Sequence, residues 1–424
     1  MATPVPLSYN AAISPIMAGR WAGFAPRQLV ADGIWTWFTS PVSVFRNGAT
    51  YIMAVDSAGT CRIHKHTHAT GVTESFSLSS VGLEVDDHNN GSILFLPDGR
   101  LVAVYGVQID SGIRYRVSTN PENVSSWGPE QFRGTSQGSY SYPVPVTLSD
   151  YPGLTWLFNR RWVEGSGGGT RALSFRTSPD FGTVPAEISA YTDVWRVSGK
   201  IPYWRIAPDG VGSIHVFTTD MHPVQGQSSL YYFRADADPA TGALTYRLPS
   251  GALITDTLPL GPSSVSQVYD GATTRCWVSD AGVDATGAPV CLWMRYPGND
   301  GSQIEYWHAR WAGSGWSNTK ITNDGAGLYS PEVYYHGGMS FDSQDTSRVY
   351  LSTPVAGYRQ VQEWRTSDNG VSWAKHRDIT SGAYTGLRGR PMSPSGHNGH
   401  IRVIWFDGRY TSFTDYDTKI FGAG

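Results

Sequence analysis

The stretch PDGRLVAVY, Pro97 to Tyr105, is a Pro-Asp-Gly turn running into an alternating apolar strand. Each turn residue contributes separately, since proline presets φ, aspartate bonds nearby backbone N–H groups, and glycine accepts a positive φ. Working outward, the same phrase recurs as SAGTCRIH from Ser57, DYPGLTWLF from Asp150 and PDGVGSIHVF from Pro208. It returns as DATGAPVCLW from Asp284, DTSRVYLST from Asp345 and HNGHIRVIW from His397. Copies lie roughly 40–75 residues apart, the size of a four-stranded blade with variable loops. Helical periodicity is almost absent. The reading is an all-β, seven-bladed β-propeller spanning 1–424 as a single domain, its sheet edges removed by ring closure.

A second signature agrees. TSDNGVSW, Thr366 to Trp373, fits the Asp-box pattern S/T-x-D-x-G-x-x-W of sialidase-like propellers. STNPENVSSW from Ser118 and TSPDFGTV from Thr177 are degenerate copies. These boxes close turns and carry no chemistry. Composition suits short strands and tight turns: 48 Gly, 26 Pro, 16% charged and 13% aromatic residues in 424. A net charge of -3, with no basic run, excludes an electrostatic reason to bind nucleic acid or an anionic membrane. No apolar stretch is long enough to span a bilayer, and the first residues lack the pattern of a secretory signal. The three cysteines form no disulfide framework; Cys276 and Cys291 fall in neighbouring strands and could pair, which would leave Cys61 over as a buried thiol.

Candidate chemistry sits where turns enter strands. DDHNN, Asp86 to Asn90, places His88 and Asn89 before the strand SILFL, with carboxylates able to fix the histidine tautomer. The plain alternative is a satisfied strand-edge histidine. Tyr142 precedes Pro143, which predicts an extended backbone. Arg160 and Arg161 close an inner strand, where a buried guanidinium needs an anion; one of the two suits a solvated surface. Tyr203, Arg205 and His222 lie near strand ends, with Asp220 placed to orient His222; a stabilised turn explains them equally. His64, His66 and His68 share one face of an extended segment, but no carboxylate or cysteine completes a metal site. Arg409, Tyr410, Asp415 and Tyr416 crowd one loop, either a sugar-binding rim or a clasp for the ring.

One histidine, one tyrosine and arginines around a channel fit β-elimination from a 4-linked uronic acid. That reaction needs the carboxylate neutralised, a base for the C5 proton and an acid for the leaving O4. It requires no metal and no nucleophile.

The chain resembles the seven-bladed propeller polysaccharide lyases with BNR-type repeats, the ulvan lyases and rhamnose–glucuronate lyases. The likeness runs nearly end to end, through WTWFTSPV (Trp35 to Val42), DDHNNGSILFLPDGRLVAVY (Asp86 to Tyr105), YRVSTNPENVSSWGPE (Tyr115 to Glu130), IHVFTTDMHP (Ile214 to Pro223), YWHARWAGSGW (Tyr306 to Trp316), YHGGMSFD (Tyr335 to Asp342) and GRYTSFTDYDT (Gly408 to Thr418). The resemblance implies that His88 is the first channel histidine, Tyr142 the catalytic tyrosine and Arg160 the group that neutralises the uronate. Gln108 stands where the family has a second histidine. An amide can bind a carboxylate but cannot shuttle a proton at neutral pH. Asn89, Arg161, Tyr203, Arg205, His222, Arg409 and Tyr410 are then expected to bind substrate. The resemblance further implies a secreted monomer acting on a uronate-containing polysaccharide, with no required cofactor and room for a structural metal ion. Two alternatives stay open: a rhamnosidase-like glycoside hydrolase, and a glycan-binding propeller whose site lost its base at Gln108. A sialidase is disfavoured, since no early Arg-Ile-Pro motif or arginine triad is present.

Overall fold

A computed structural model describes residues 25–79, 83–106, 112–134, 140–151, 153–163, 169–178, 191–238 and 241–424. It is a ring of seven antiparallel sheets. Blade 1 holds Ser43–Arg46, Ala49–Val55, Cys61–Thr67 and Thr73–Ser77; blade 2 holds Ser92–Phe95, Leu101–Gly106, Gly112–Val117 and Gln131–Gly134. Blade 3 holds Tyr140–Thr147, Thr155–Trp162, Arg171–Ser178 and Thr192–Arg196. Blade 4 holds Trp204–Pro208, Ser213–Thr219, Leu230–Ala237 and Leu244–Arg247, with an extra strand, Ser266–Tyr269, on the third. Blade 5 holds Cys276–Val283, Pro289–Arg295, Ile304–Trp311 and Trp316–Gly325. Blade 6 holds Met339–Asp342, Asp345–Val355, Tyr358–Arg365 and Ala374–Asp378. Blade 7 is built from both ends of the chain: Leu387–Met392, Val403–Ser412 and Asp415–Ala423 come last in sequence, and Arg27–Val30 adds the outer strand.

The turn phrases mark the step from first to second strand in blades 2 to 7. The Ser57 copy is displaced, because it joins the second and third strands of blade 1. The Asp box closes the turn between the third and fourth strands of blade 6. Asp368 accepts from the Ser372 N–H at 2.9 Å, Gly370 takes φ +84°, and Trp373 packs edge-on against His308 of blade 5. Cys276 and Cys291, which the sequence left open as a pair, are free. The strand register sets Cys276 opposite Arg295 and Cys291 opposite Ala281, several residues apart along the ladder. Among the described residues no helix is long and apolar enough to cross a membrane.

The centre of the ring is filled. The segment 34–39, between the closing strand and blade 1, is buried throughout. Its Phe38 ring lies 5.4 Å from Tyr142, 4.5 Å from Tyr203 and 5.2 Å from Trp277, and Trp37 lies 4.5 Å from Tyr335. The N-terminal segment therefore plugs the channel and touches blades 3 to 6.

Buried neutral histidines tie this packing to pH. Burial holds His64, His215 and His308 down to about 4, with neighbouring arginines adding to the shift. In the unfolded chain they titrate near 6.5, so below that pH the unfolded state binds protons the folded state refuses. Their contribution is intact above pH 6.5 and is lost as pH falls toward 4. Each should add a slope of about 1.4 kcal/mol per pH unit inside that window. Urea unfolding between pH 7 and 4.5 should show midpoints falling steeply; unchanged midpoints would contradict this.

Candidate functional site

In an antiparallel blade, the entry to the innermost strand and the exit from the second strand lie at the same end. His88, Tyr142, Tyr203, Tyr335 and Arg390 come from entries or innermost strands, and Arg160, His222 and Tyr410 from exits. They meet above the plug, on the face opposite the Asp-box turns.

His88 sits in a short 3₁₀ turn, Asp87–Asn89, capped by Asp86, whose carboxylate accepts the His88 backbone N–H at 2.8 Å. The same oxygen lies 2.5 Å from His88 Nδ1, and an Asp87 oxygen lies 3.2 Å from it. Carboxylates only accept, so Nδ1 carries the proton and Nε2 faces the pocket, 3.4 Å from the Tyr335 hydroxyl. Burial disfavours the charged ring, but the charge and hydrogen bond of Asp86, helped by Asp87, outweigh it and raise the His88 pKa. Behind this pair, Asp87 meets Arg390 Nη1 at 2.7 Å and accepts from Tyr410 Oη at 3.0 Å. The Arg390 guanidinium lies 3.4 Å over the Trp37 ring and also donates to the Trp35 carbonyl.

Tyr142 departs from the extended backbone expected before a proline. Its φ is +58°, and the ladder register slips between Ser141 and Val144. The bulge supplies the reason: it turns one side chain off the blade and into the pocket, at a conformational cost the surrounding packing must hold. Arg390, also before a proline, repeats the device in blade 7, with φ +49° and a register slip between Gly389 and Met392. The Tyr142 ring stands 5.9 Å from His88 and 5.9 Å from Tyr203, and its buried hydroxyl makes no hydrogen bond of ordinary geometry. Burial raises its pKa well above 10, against the pull of Arg160, so the phenol is protonated at neutral pH.

Arg160 ends the second strand of blade 3, rather than an inner one. Its guanidinium lies 4.5 Å over Tyr142 and 4.8 Å over Tyr203, with Nε donating to Ser141 Oγ at 3.0 Å. It is buried, Nη1 has no partner, and no carboxylate among the described residues pairs with it. His222 packs on Tyr203 and Trp277 at 5.3 and 4.6 Å. Burial, Arg160 and His88 hold its pKa down to about 3, and its Nδ1 accepts the Val224 N–H at 3.0 Å. It is a neutral ring with Nε2–H to donate. Asp220 does not orient it, because that carboxylate is taken by the Ser229 N–H at 2.9 Å.

The structure thus brings together His88, Tyr142, Arg160, Tyr203 and His222. Four other expected binders are engaged elsewhere. Arg161 alternates to the opposite face of its strand and pairs with Asp193 at 2.8 Å. Arg205 is buried in a bond to Asp280 at 2.9 Å and donates to the Trp37 carbonyl. Asn89 is buried and donates to the Glu84 carbonyl at 3.0 Å. Arg409 is more than half exposed and pairs with Asp415 at 2.5 Å. Tyr410 links the Asp87 network to a rim groove of about 890 Å³ that Arg409 and Tyr384 also line. Gln108 lies outside the described residues. Trp277, Tyr335 and Arg390 are not evident as site residues in the sequence; the Arg390-Pro391 pair, mirroring Tyr142-Pro143, is the one local signal for any of them.

Asp86, Asp87 and His88 are the one described group with ligand atoms within 4.8 Å of one another. Arg390 and the His88 ring already engage these two carboxylates. His64 and His66 spend Nδ1 on Ser75 and Thr73, and His68 spends Nε2 on Thr50.

A seven-bladed ring with Asp-box turns and a buried guanidinium that meets no carboxylate among the described residues, beside a histidine and a phenol, defines the class. The chain belongs to the BNR repeat-containing family, whose profile matches residues 49–324. No curated protein matches it in sequence. Among solved structures it is similar to a polysaccharide lyase of family PL25, an ulvan lyase bound to -[GlcA(1-4)Rha3S]-. The TM-score is 0.70 at 14% identity, with 95% of each chain covered. It is also similar to the polysaccharide lyase Uly1, with TM-score 0.55 at 14% identity, covering 91% of this chain and 89% of that one. Identity at this level speaks for the fold alone.

Proposed function

We propose that this chain is a polysaccharide lyase that cleaves the bond at O4 of a uronic acid by β-elimination. The observation that carries the reading is Arg160: a buried guanidinium without a counter-charge, placed beside two proton-transfer groups. A substrate carboxylate supplies the missing anion, and its neutralisation acidifies the C5 proton. His88 Nε2 takes that proton, while Asp86 and Asp87 hold the ring and stabilise the imidazolium formed. The C5–H electrons become the C4=C5 double bond, the C4–O4 bond breaks, and Tyr142 protonates the departing oxygen. Tyr203, His222 and Trp277 seat the ring, and Gln108 is assigned as a further amide donor to the carboxylate. No step calls for a metal. A polymeric substrate agrees with a protein that works outside the cell.

A glycoside hydrolase needs two carboxyl groups flanking the scissile bond. The carboxylates in contact with His88, Asp86 and Asp87, are committed to it and to Arg390, which favours elimination. The decisive assay incubates the protein with glucuronate-containing glycans and follows ultraviolet absorbance of the new double bond. Absorbance should rise; sugar release without it would mark a hydrolase, and binding alone a lectin.

The pH profile tests the base. His88 works as a base only when neutral, and its pKa is raised, so activity should climb with pH through a value above 6.5. Asp86→Asn removes the main raising charge, so the climbing limb should move to lower pH and the plateau should drop as the ring loses its orientation. A limb that stays in place would remove His88 from that role.

A further inference from the structure

The Tyr335 ring is packed without help from its hydroxyl. Trp37 lies edge-on at 4.5 Å, Tyr329 edge-on at 5.6 Å and Trp277 at 5.9 Å, so a phenylalanine would fill the place equally. The loop that carries it is fastened by backbone: Tyr335 N–H donates to the Glu332 carbonyl at 3.1 Å, and its carbonyl accepts from Leu328 N–H at 2.9 Å. Among the described residues the buried hydroxyl meets a single hydrogen-bonding group, His88 Nε2, at 3.4 Å. Burying a hydroxyl costs free energy unless it is bonded, and so long a contact offsets little of it. The group nonetheless sits on the nitrogen that the elimination uses. Asp86 and Asp87 hold Nδ1, so Nε2 is the ring atom through which a proton enters and leaves.

Elimination leaves the protein in a protonation state different from the one in which it began. His88 holds the C5 proton on Nε2, and Tyr142 is a phenolate, having given its proton to O4. A second turnover requires loss of one proton at Nε2 and gain of one at Tyr142 Oη. No direct path joins them: the two rings stand 5.9 Å apart, and the Tyr142 hydroxyl has no partner of ordinary geometry. Tyr335 is a neutral phenol at neutral pH, since burial, reinforced by Tyr142 and Tyr203, raises its pKa well above 10. A phenol oxygen can accept a proton while the group passes on its own.

We propose that Tyr335 is the relay that carries the C5 proton off His88 after each elimination and so resets the site. This rests on the lyase reading and extends it to the second half of the cycle. Nε2–H donates to Tyr335 Oη, and the proton moves onto that oxygen as the phenol's own proton passes to water admitted when product leaves. Water returns one proton to the Tyr142 oxygen. Imidazolium and phenolate become imidazole and phenol, with no net change in protons and no oxidant or reductant. The long contact suits the task, because Nε2 must be given over to the C5 proton on every turnover.

Stopped-flow absorbance of the new double bond separates the first turnover from the rest. Tyr335→Phe should form about one equivalent of product per site at a rate within about threefold of wild type, then continue about 10²-fold more slowly. Added imidazole buffer, a diffusing proton carrier, should speed the slow phase in proportion to its concentration and leave the first turnover alone. Tyr335→Gln keeps a hydrogen-bonding group beside Nε2 but cannot shuttle a proton, so it should show the same split. If the hydroxyl only positions His88, glutamine restores steady turnover and the relay is overturned. First and later turnovers that slow together, or that both stay at the wild-type rate, overturn it as well. Failure of the parent reading looks different. Wild-type protein that raises no absorbance defeats the lyase, whereas a lyase whose Tyr335→Phe variant shows no burst defeats the relay alone.

Discussion

Arg160→Met should cut kcat/KM on a uronate glycan by about 10²–10³-fold, equivalent to about 2.7–4 kcal/mol of lost transition-state stabilisation. Methionine keeps an apolar stem between Tyr142 and Tyr203 and removes the one guanidinium that awaits the carboxylate, so the loss should fall on kcat as charge develops at C5. Arg160→Lys should recover part of it, because a point charge neutralises but cannot make the forked bonds of a guanidinium. Tyr142→Phe should cost at least as much, since it deletes the proton donor and preserves the ring that packs on Phe38. Steady-state rates by ultraviolet absorbance decide both. An Arg160→Met enzyme within about threefold of wild type would remove the carboxylate from this position.

The largest effect on stability should come from Arg390→Met. It leaves Asp87 a buried charge with its strongest partner gone, and breaking such a pair costs about 3–5 kcal/mol. Tyr410 still donates to Asp87, and His88 still faces it, which softens the loss without cancelling it. Adding Asp87→Asn to Arg390→Met should restore much of the deficit, because the double variant buries no unpaired charge. Urea midpoints for the two single variants and the double variant form the cycle that measures this coupling. Additive losses would mean that the two side chains do not form an energetic pair.

The ring is legible from turn chemistry. A Gly-containing turn followed by alternating apolar residues marks a local hairpin, and local hairpins leave local signals. The site is legible only in part, for the same reason. His88, Tyr142 and Arg160 sit beside turns or prolines that draw attention to them. Trp277, Tyr335 and Arg390 reach the pocket from other blades, and closing the ring is what brings them within contact. The rule about residues before proline misleads at Tyr142 because a bulge overrides it. Arg205 and Arg161 look like substrate arginines in the sequence because nothing local reveals Asp280, 75 positions away, or Asp193, 32 positions away. The WTWF tetrapeptide carries a family resemblance and no local sign of where it packs; its place as the channel plug follows from tertiary contacts.

The closing strand and the plug belong to one short stretch of chain. Arg27–Val30 pairs with Asp415–Ala423, and a few residues later Trp35 and Trp37 offer the carbonyls that seat Arg390 and Arg205. During synthesis this stretch is made before any blade, while its strand partner is made after all of them. Loop-closure entropy rises only logarithmically, about 0.6 kcal/mol per doubling of length, so the long wait adds little to the final equilibrium. It does order events in time. Until residues 420–422 have emerged, the first strand has no mate and the plug has no anchored end. The pocket is thereby assembled by the same step that closes the ring of blades.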